Sequence, residues 1–340
     1  MANRRPRVAV IVRTKDRSLL LSRALDDILN QTMEDWELVV VNDGGSARPV
    51  DELVSAREER LAKRCRVVHN PSSRGMEAAA NQGIEATSAE FLVIHDDDDT
   101  WDKTFLAQTL HHLERDSGAV AVLAGTEIVL ERIDGDQIVE MGRQPFGPPG
   151  SVVTLFDLLL VNRFVPIGLL MRRAVVNELG GFDETLPVVG DWEFHLRLAS
   201  YGRVAFLEGP PLAFWRQRPQ QSGPLSNSVH EASGMHFRYD RLVRERALIE
   251  YAKTHGVGGL LYLSKLVNES ETRIAAGVAD AERRITQMIA AGEDRIMRGL
   301  GEAELRMMNR VDSTVHEHVR YHSVQATLRR LLRRGLPRRK

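Results

Sequence analysis

The sequence predicts an α/β fold in which a mainly parallel sheet is sandwiched by helices and followed by a long α-helical arm. Two features of the chain predict it. In residues 7–130, short apolar runs alternate with segments of helical periodicity, a pattern typical of parallel strands that are covered on both faces. From about Gly258 onward, an 11-residue repeat without proline indicates one long helix.

Each element has its own signal. Four short runs predict strands: Val8–Val12, Leu38–Val41, Arg66–His69 and Phe91–Ile94. Apolar residues that recur on one face predict helices: Leu19–Asn30 with Ser18 as its N-cap, Val50–Lys63, Met76–Thr87 and Thr104–Arg115. Further along, the sequence predicts a loop at Gln144–Gly150, a strand at Gly168–Met171, a helix at Trp192–Tyr201 and a segment closing over the site at Phe206–Pro224.

The bulk composition argues against several classes of protein. The 340 residues carry a net charge of −1, so no overall positive field favours nucleic acid and no such partner is expected. The single cysteine, Cys65, excludes a disulfide framework or a cysteine-rich zinc site within one chain. No apolar stretch approaches a membrane span. We therefore expect a cytoplasmic protein with, at most, peripheral contact at the inner face of the membrane.

Polar residues follow three of the predicted strands: Thr14–Arg17, Asn42-Asp43 and Asp96–Asp99. Because ligands of parallel sheets bind outside the carboxyl ends of the strands, these residues are expected to share one edge. Four adjacent aspartates repel one another, and a divalent cation would relieve that repulsion. Mg²⁺ or Mn²⁺ prefers such oxygen ligands, together with substrate phosphates. A solvated acidic loop is the alternative.

The same segments resemble family 2 glycosyltransferases with the GT-A fold, over about residues 7–225. Phe91–Trp101, which contains the four aspartates, is similar to the DxD-type signature of that family, and Val10–Arg17 is similar to its opening strand and loop. Further segments match in the same order: Asn30–Thr32 with Glu37–Gly44, Asn70–Gly83, and Gly190–Phe194. One such motif is weak support, whereas five in order are strong support.

The resemblance implies a role for each matching residue. Asp191 would be the catalytic base, and Asp98, with Asp96, would ligate the metal. Asp43 would accept a hydrogen bond from the base of the donor. The full set implied to contact the nucleotide-sugar donor is Thr14, Asp16, Arg17, Asp43, Arg74, Asp96, Asp97 and Arg216.

The sequence also departs from the family pattern. Arg13 and Lys15 replace a familiar Pro and Tyr, so an aromatic partner for the base is lost or is replaced by a lysine. Ala80 stands where many relatives have Arg, and Arg74 is the candidate to supply that charge. Arg218 stands where many relatives have His, and Arg216 or Arg218 is a candidate contact for the diphosphate.

The implied reaction transfers a sugar, with inversion, from a nucleotide sugar to a hydroxyl of a glycan or lipid-linked acceptor of surface polysaccharide. A UDP-sugar is the favoured donor, with Mg²⁺ or Mn²⁺ as cofactor. A nucleotidyltransferase on a similar sheet and a catalytically degenerate scaffold are the alternatives. A nucleotidyltransferase should carry a glycine-rich phosphate loop after its first strand, and Arg13–Arg17 contains no glycine.

The predicted arm, residues 258–321, repeats two apolar rows every 11 residues: Ile274, Ile285, Ile296 and Met307, and Val267, Val278, Ile289, Leu300 and Val311. At about 3.67 residues per turn, these rows stay on one side of a helix on the order of 90 Å long. Such a helix cannot bury its own stripe. The favoured partner is a second copy in a right-handed coiled coil, and a membrane surface is the alternative.

The chain therefore divides into four predicted regions: a transferase domain at 1–225, a helical connector at 226–257, the long helix at 258–321 and a basic tail at 322–340. The end of this tail, residues 329–340, carries seven basic residues and no acidic one. It could hold the protein near anionic phospholipid, and the alternative is a solvated end.

Overall fold

The computed structural model describes residues 5–147, 154–221, 223–227 and 233–334. The chain forms two compact units, Met1–Glu250 and Tyr251–Lys340. Each unit is described by itself.

A seven-stranded sheet forms the centre of the first unit. Its order across the sheet is β10-β6-β9-β4-β1-β2-β3. The strands of this sheet are β1 (Val8–Thr14), β2 (Trp36–Asp43), β3 (Cys65–Asn70), β4 (Phe91–Asp96), β6 (Ala119–Ala124), β9 (Leu169–Arg172) and β10 (Arg203–Leu207). Neighbours pair in parallel, except that β9 runs antiparallel between β4 and β6. The predicted mainly parallel sheet is confirmed.

Helices cover both faces of this sheet. They are α1 (Ser18–Leu29), α2 (Ala47–Ser55), α3 (Glu58–Leu61), α4 (Met76–Glu85), α5 (Phe105–Arg115), α6 (Leu155–Leu160), α7 (Arg173–Leu179) and α8 (Gly190–Tyr201). A further helix, α9 (Ser233–His255), packs through Val243 against Leu186 and Trp192. Leu21 and Leu25 of α1 pack with Val10 in one apolar cluster, whereas Ile84 of α4 packs with Ile11 in another. Successive strand residues therefore point to opposite faces, and both faces are buried.

A second sheet of four strands, in the order β5-β11-β7-β8, was not predicted. Its strands are β5 (Thr100–Trp101), β7 (Thr126–Asp134), β8 (Gln137–Pro145) and β11 (Ala213–Gln217). β8 is largely exposed, and polar or charged residues interrupt its few apolar ones, so it lacks the apolar run that marks a buried strand. Strand β11 pairs with β5, and β5 directly follows the acidic run at the end of β4. The residues that follow β11 therefore lie near that run.

Three local predictions need correction. Arg17, rather than Ser18, occupies the N-cap of α1, and no side-chain cap bond forms there. Predicted helix 50–63 is broken into α2 and α3. The predicted loop at 144–150 begins inside β8, because Gln144 and Pro145 pair with β7; residues 148–150 lie outside the described part.

The second unit contains α10 (Gly258–Arg334), a helix of 77 residues. It confirms the predicted long helix, and its glycines do not interrupt it. Ile274, Ile285 and Ile296 of the repeat are each more than half exposed. No helix within the described residues is long and apolar enough to cross a membrane.

Candidate active site

The ends of β1 and β4 meet through direct hydrogen bonds. The Thr14 hydroxyl donates to Oδ2 of Asp97 over 2.7 Å, and Arg17 Nη1 donates to Oδ1 of Asp97 over 3.2 Å. Arg13, on the neighbouring position of β1, donates through Nε to Oδ1 of Asp96 over 2.8 Å. The predicted convergence of strand ends at one edge therefore exists in the structure.

Asp43 holds the loop that leads from β3 into α4. Its carboxylate accepts hydrogen bonds from the side chains of Asn70 and Ser73 and from the backbone N–H groups of Arg74 and Gly75, at 2.7–3.1 Å. Burial alone would raise the pKa of Asp43, but these donors lower it below its ordinary value. Both oxygens already have protein donors, so a bond from the base of a nucleotide, which stays a prediction, would share or displace one.

Asp98 of the acidic run belongs to a buried ion cluster that also contains Glu131, Arg23, Arg216 and Arg218. The Arg218 guanidinium is fully buried and bridges Asp98 and Glu131. Glu131 also accepts from Arg23 at 2.8 Å and from Arg216 at 3.0 Å. Burial would raise the pKa of Glu131, but the three guanidinium groups lower it. Each buried charge thus has an opposite charge in contact with it, which such burial requires.

The four aspartates of the run are not equivalent. Burial raises the pKa of Asp97 to about 6, in spite of the neighbouring Arg17. Burial and the adjacent Asp98 raise the pKa of Asp99 well above its ordinary value. Oδ1 of Asp99 accepts a hydrogen bond from the backbone N–H of Arg216 at 2.8 Å, so this residue ties the run to β11.

The carboxyl groups of Asp96 and Asp98 fit a metal site that substrate completes. Asp98 accepts its side-chain bonds from Arg17, Arg218 and Asn227 through Oδ2, and Asp96 accepts from Arg13 through Oδ1. The second oxygen of each group takes no hydrogen bond from the described residues. These residues nowhere gather three acidic, His or Cys side chains into a metal cage. Mg²⁺ commonly binds with one or two carboxylates plus phosphates.

Asp191 lies in the first turn of α8, next to a cavity. Its Oδ1 accepts from the backbone N–H of Trp192 at 2.7 Å, and its Oδ2 accepts from Nδ2 of Asn162 at 2.9 Å. Burial raises the pKa of Asp191 above its ordinary value, although these two donors and Arg13 oppose the rise. Asp96 also raises it, which places Asp191 in electrostatic reach of the acidic run.

Glu77 is a site residue that the sequence analysis missed. It is buried in the first turn of α4, and burial raises its pKa to about 7. A Cβ on Gly190 would lie 2.4 Å from Cγ of Glu77, so only glycine allows α8 to start against this side chain. Arg13 interacts electrostatically with Asp96, Glu77 and Asp191 together. A charged residue in the alanine-rich start of α4 was the available signal.

The remaining predicted donor contacts are spread around this edge. Asp16 is exposed in a left-handed conformation (φ 52°) and accepts from the backbone N–H of Ser46 at 2.9 Å. The Arg74 side chain is about half exposed and pairs with Glu184. Arg216 turns inward to Glu131 and Thr100, so its charge is already used within the protein.

The segment after β11 contacts the acidic run. The sequence predicts closure by Phe206–Pro224, and the contacts found here come from residues just beyond that segment. Asn227 donates through Nδ2 to Asp98 at 3.0 Å and to the backbone oxygen of Arg216 at 2.9 Å. Arg17 Nη2 donates to the backbone oxygen of Ser226 at 2.6 Å. Residues 223–227 are therefore part of this edge.

Comparison with known proteins decides the family. The sequence profile described as Glycosyl transferase family 2 matches residues 9–179, which is half of the chain. The chain belongs to glycosyl transferase family 2. This membership supports glycosyl transfer and sets the nucleotidyltransferase alternative aside.

Curated relatives of this family 2 protein match more than half of the chain. The chain is 28% identical to the "Uncharacterized glycosyltransferase YwdF" of Bacillus subtilis (strain 168) over 199 residues, 58% of this chain and 70% of the relative. It is 26% identical to a "PGL/p-HBAD biosynthesis glycosyltransferase" of Mycobacterium tuberculosis (strain ATCC 25177 / H37Ra) over 196 residues, 57% of this chain and 70% of the relative.

Among solved structures, S. aureus TarS 1–349 in complex with UDP-GlcNAc is similar, with a TM-score of 0.53 and 18% identity over 66% of this chain. The match spans 62% of that structure, less than two thirds of its length. At this identity the likeness concerns the fold alone, and the fold is GT-A-like.

Proposed function

We propose that this family 2 member is an inverting glycosyltransferase that moves a sugar from a nucleotide diphosphate sugar to a hydroxyl acceptor, with Asp191 as the base. The observation that carries the proposal is that Asp191 lines a cavity at the start of α8, where Asn162 and the Trp192 N–H fix its carboxylate. A carboxyl group at the acidic run and a second one at a cavity are the two groups that such a reaction needs.

In the proposed step, the acceptor oxygen forms a bond to the anomeric carbon while the bond from that carbon to the diphosphate oxygen breaks. The electron pair of the broken bond leaves with the nucleoside diphosphate. The acceptor proton passes to the Asp191 carboxylate, whose orientation is fixed by Asn162 and by the Trp192 N–H. A raised pKa makes Asp191 a stronger base than an ordinary aspartate. Attack from the face opposite the diphosphate inverts the anomeric carbon.

Asp98, with Asp96, would hold Mg²⁺ or Mn²⁺ through their second oxygens. A bound cation would neutralise charge that develops on the leaving diphosphate. Arg17, on the same edge, faces Asp97 and Asp98 and supplies a fixed positive charge beside them.

The donor contacts proposed at this edge are Thr14, Asp16, Arg17, Asp43, Arg74, Asp96 and Asp97. Arg216 is left out of this set because its guanidinium is held by Glu131 and Thr100. We propose a UDP-sugar as donor. The TarS structures at 18% identity include one in complex with UDP and one with UDP-GlcNAc. These complexes support a uridine donor for this chain only by analogy, because the two proteins share a fold.

The proposed acceptor is a glycan or lipid-linked sugar. The mycobacterial relative is named for PGL/p-HBAD biosynthesis, and this name describes that protein. We further propose that α10 pairs with α10 of a second copy, because its apolar rows are exposed at a constant 11-residue spacing. Peripheral membrane contact by the basic tail also stays a prediction, and residues 335–340 of that tail lie outside the described part.

A screen of nucleotide sugars tests the proposed reaction. The full-length protein is heated with each candidate donor in Mn²⁺, in Mg²⁺ and in EDTA, and donor hydrolysis is followed in parallel. One nucleotide sugar should raise Tm and be hydrolysed slowly in a metal-dependent manner. Asp98→Ala should remove the metal-dependent part of this stabilisation. If no nucleotide sugar binds under any condition, the proposed function is wrong.

A further inference from the structure

The wall of the cavity beside Asp191 is mainly apolar. The cavity has a volume of about 400 Å³ and is bounded by α6, α8, β11 and the start of α9. This volume lies within the range of small-molecule sites. Its aromatic lining comes from five separate parts of the first unit: Phe146, Phe164, Trp192, Trp215 and Phe237.

Few polar groups in this wall are available to a ligand. Nδ2 of Asn162 donates to Asp191, and its Oδ1 accepts from the backbone N–H of Phe164 at 3.3 Å. Asp240 pairs with Arg244 at 2.9 Å, and the indole N–H of Trp192 donates to the backbone oxygen of Leu158 at 2.7 Å. His236, which also lines the cavity, already makes an interaction within the protein. Each oxygen of Asp191 accepts one hydrogen bond, from Asn162 or from the Trp192 N–H, and keeps a second acceptor position for an incoming hydroxyl.

The occupant follows from the position of Asp191. A base must lie within hydrogen-bond reach of the hydroxyl that it deprotonates, so the group that carries this hydroxyl must enter the cavity. A bare sugar would bring several hydroxyls into an apolar wall and lose their water without replacement, at a cost for each one. A single hydroxyl next to an apolar group suits the wall instead.

The mouth of the cavity extends the apolar surface. Leu160 and Val161, at the end of α6, line the cavity and are 60% and 47% exposed, and Phe237 on α9 is 69% exposed. An aglycone longer than one ring would continue over these side chains.

We infer that the acceptor presents its hydroxyl on, or directly beside, an apolar aglycone that occupies the cavity lined by Trp192, Trp215 and Phe237. This inference rests on the proposed function and narrows its acceptor class. The shared chemistry is an apolar group next to the reacting hydroxyl. An alkyl chain of a lipid and an aromatic ring are its two possible sources.

Binding of matched glycosides tests the inference on the full-length protein. Methyl, hexyl and phenyl glycosides of one sugar are titrated by calorimetry in the presence of UDP. The phenyl or hexyl compound should bind at least about tenfold more tightly than the methyl compound, because it buries apolar surface that the methyl group lacks. Preference for phenyl indicates an aromatic source, and preference for hexyl indicates a lipid source.

Two phenylalanine variants provide a matched pair. Phe237 and Phe156 are both 69% exposed, but only Phe237 lines the cavity. Phe237→Ala should remove most of the preference for the apolar aglycone, and Phe156→Ala should leave the affinity for the phenyl glycoside unchanged. Equal affinity for all three glycosides, no measurable binding of the phenyl and hexyl compounds, or equal losses in the two variants would overturn the inference.

Failure of the inference and failure of the proposed function give different results. If a nucleotide sugar binds and is hydrolysed but the glycosides show no preference, the proposed transfer stands and the acceptor class is wrong. If no nucleotide sugar binds, both fail together.

Discussion

The edge of the main sheet and helix α10 differ in which residues they bury. Charged residues are buried at the sheet edge, whereas apolar residues are exposed along α10. At the sheet edge, Asp98, Glu131 and Arg218 are buried and paired with one another. On α10, Ile285 and Ile296 of the apolar rows are more than half exposed. Burying charge and exposing apolar surface are both costly in isolation. The comparison therefore shows that the sheet edge supplies its own opposite charges, whereas the apolar rows of α10 stay exposed among the described residues.

The largest expected effect is on the reaction itself. Asp191→Asn keeps the shape of the side chain and removes the base, so transfer should fall about 10²–10⁴-fold. Donor binding should persist, because the donor is placed at the acidic run. The measurements are the transfer rate with saturating donor and the Kd for the donor.

Asp116→Asn is the control for this variant, because Asp116 pairs with Arg203 away from the cavity. It should transfer sugar at the wild-type rate. Transfer by Asp191→Asn at a comparable rate would remove Asp191 from the mechanism and leave its raised pKa as a consequence of burial alone.

The next effect concerns stability and compares the two regions directly. Arg218→Met should destabilise the transferase unit by about 3–5 kcal/mol, because it leaves buried Asp98 and Glu131 with fewer opposite charges. Arg284→Met removes an exposed partner of Asp280 on α10 and should change stability by less than about 1 kcal/mol. Urea unfolding measures the change in stability for both variants, with a separate probe for each unit. Equal effects would show that the buried ion cluster is not a stabilising feature.

The sequence predicted the parallel core because its strands are continuous apolar runs, and it predicted α10 because an 11-residue period is long and regular. It missed β7 and β8, where charged residues interrupt the apolar ones. It also named no strand at β6, although that run is apolar throughout, and none at β10. Short-range patterns cannot show which distant residues pair. The contacts of Arg218 with Asp98 and Glu131 span 120 and 87 residues, and no local signal marks them.

The same reason explains the site. Asp96–Asp99 and Asp191 stand out in the sequence because their motifs are local. Glu77 does not, because its importance depends on Gly190 and Arg13, which are brought to it only by the fold. The sequence predicts that Asp43 contacts the donor base, and that stays a prediction. It could not show that residues 70–75 donate hydrogen bonds to both oxygens of the Asp43 carboxylate.

The third effect is on assembly. Replacing Ile285 and Ile296 by Asp places charge on the exposed stripe, so a coiled coil of α10 should dissociate and the mass in solution should fall at least twofold. Light scattering after size exclusion measures the mass. The control is Arg283→Asp with Arg298→Asp, which lie off the apolar rows. A wild-type mass equal to one chain would show that the stripe does not pair with itself.

The smallest effect is a pH dependence set by Glu77. Its pKa is raised from 4.5 to about 7 in the folded protein. The associated stability is fully present below pH 4.5 and is lost as pH rises through about 7, because the buried carboxyl then ionises. Glu77→Gln cannot ionise, so its free energy of unfolding should change less over this window. The difference in free energy of unfolding between the wild type and Glu77→Gln should change by up to about 3 kcal/mol across this pH window.

Urea unfolding at pH 5, 6, 7 and 8 measures this difference, with Glu85→Gln, farther along α4, as the control. The pKa of about 7 for Glu77 already includes the effect of Arg13, which lowers this pKa and opposes the effect of burial. If the shift is absent, Arg13 fully compensates the ionised carboxylate. Glu77 would then be a charged partner of Arg13 at neutral pH, and its burial would not set the pH dependence of stability.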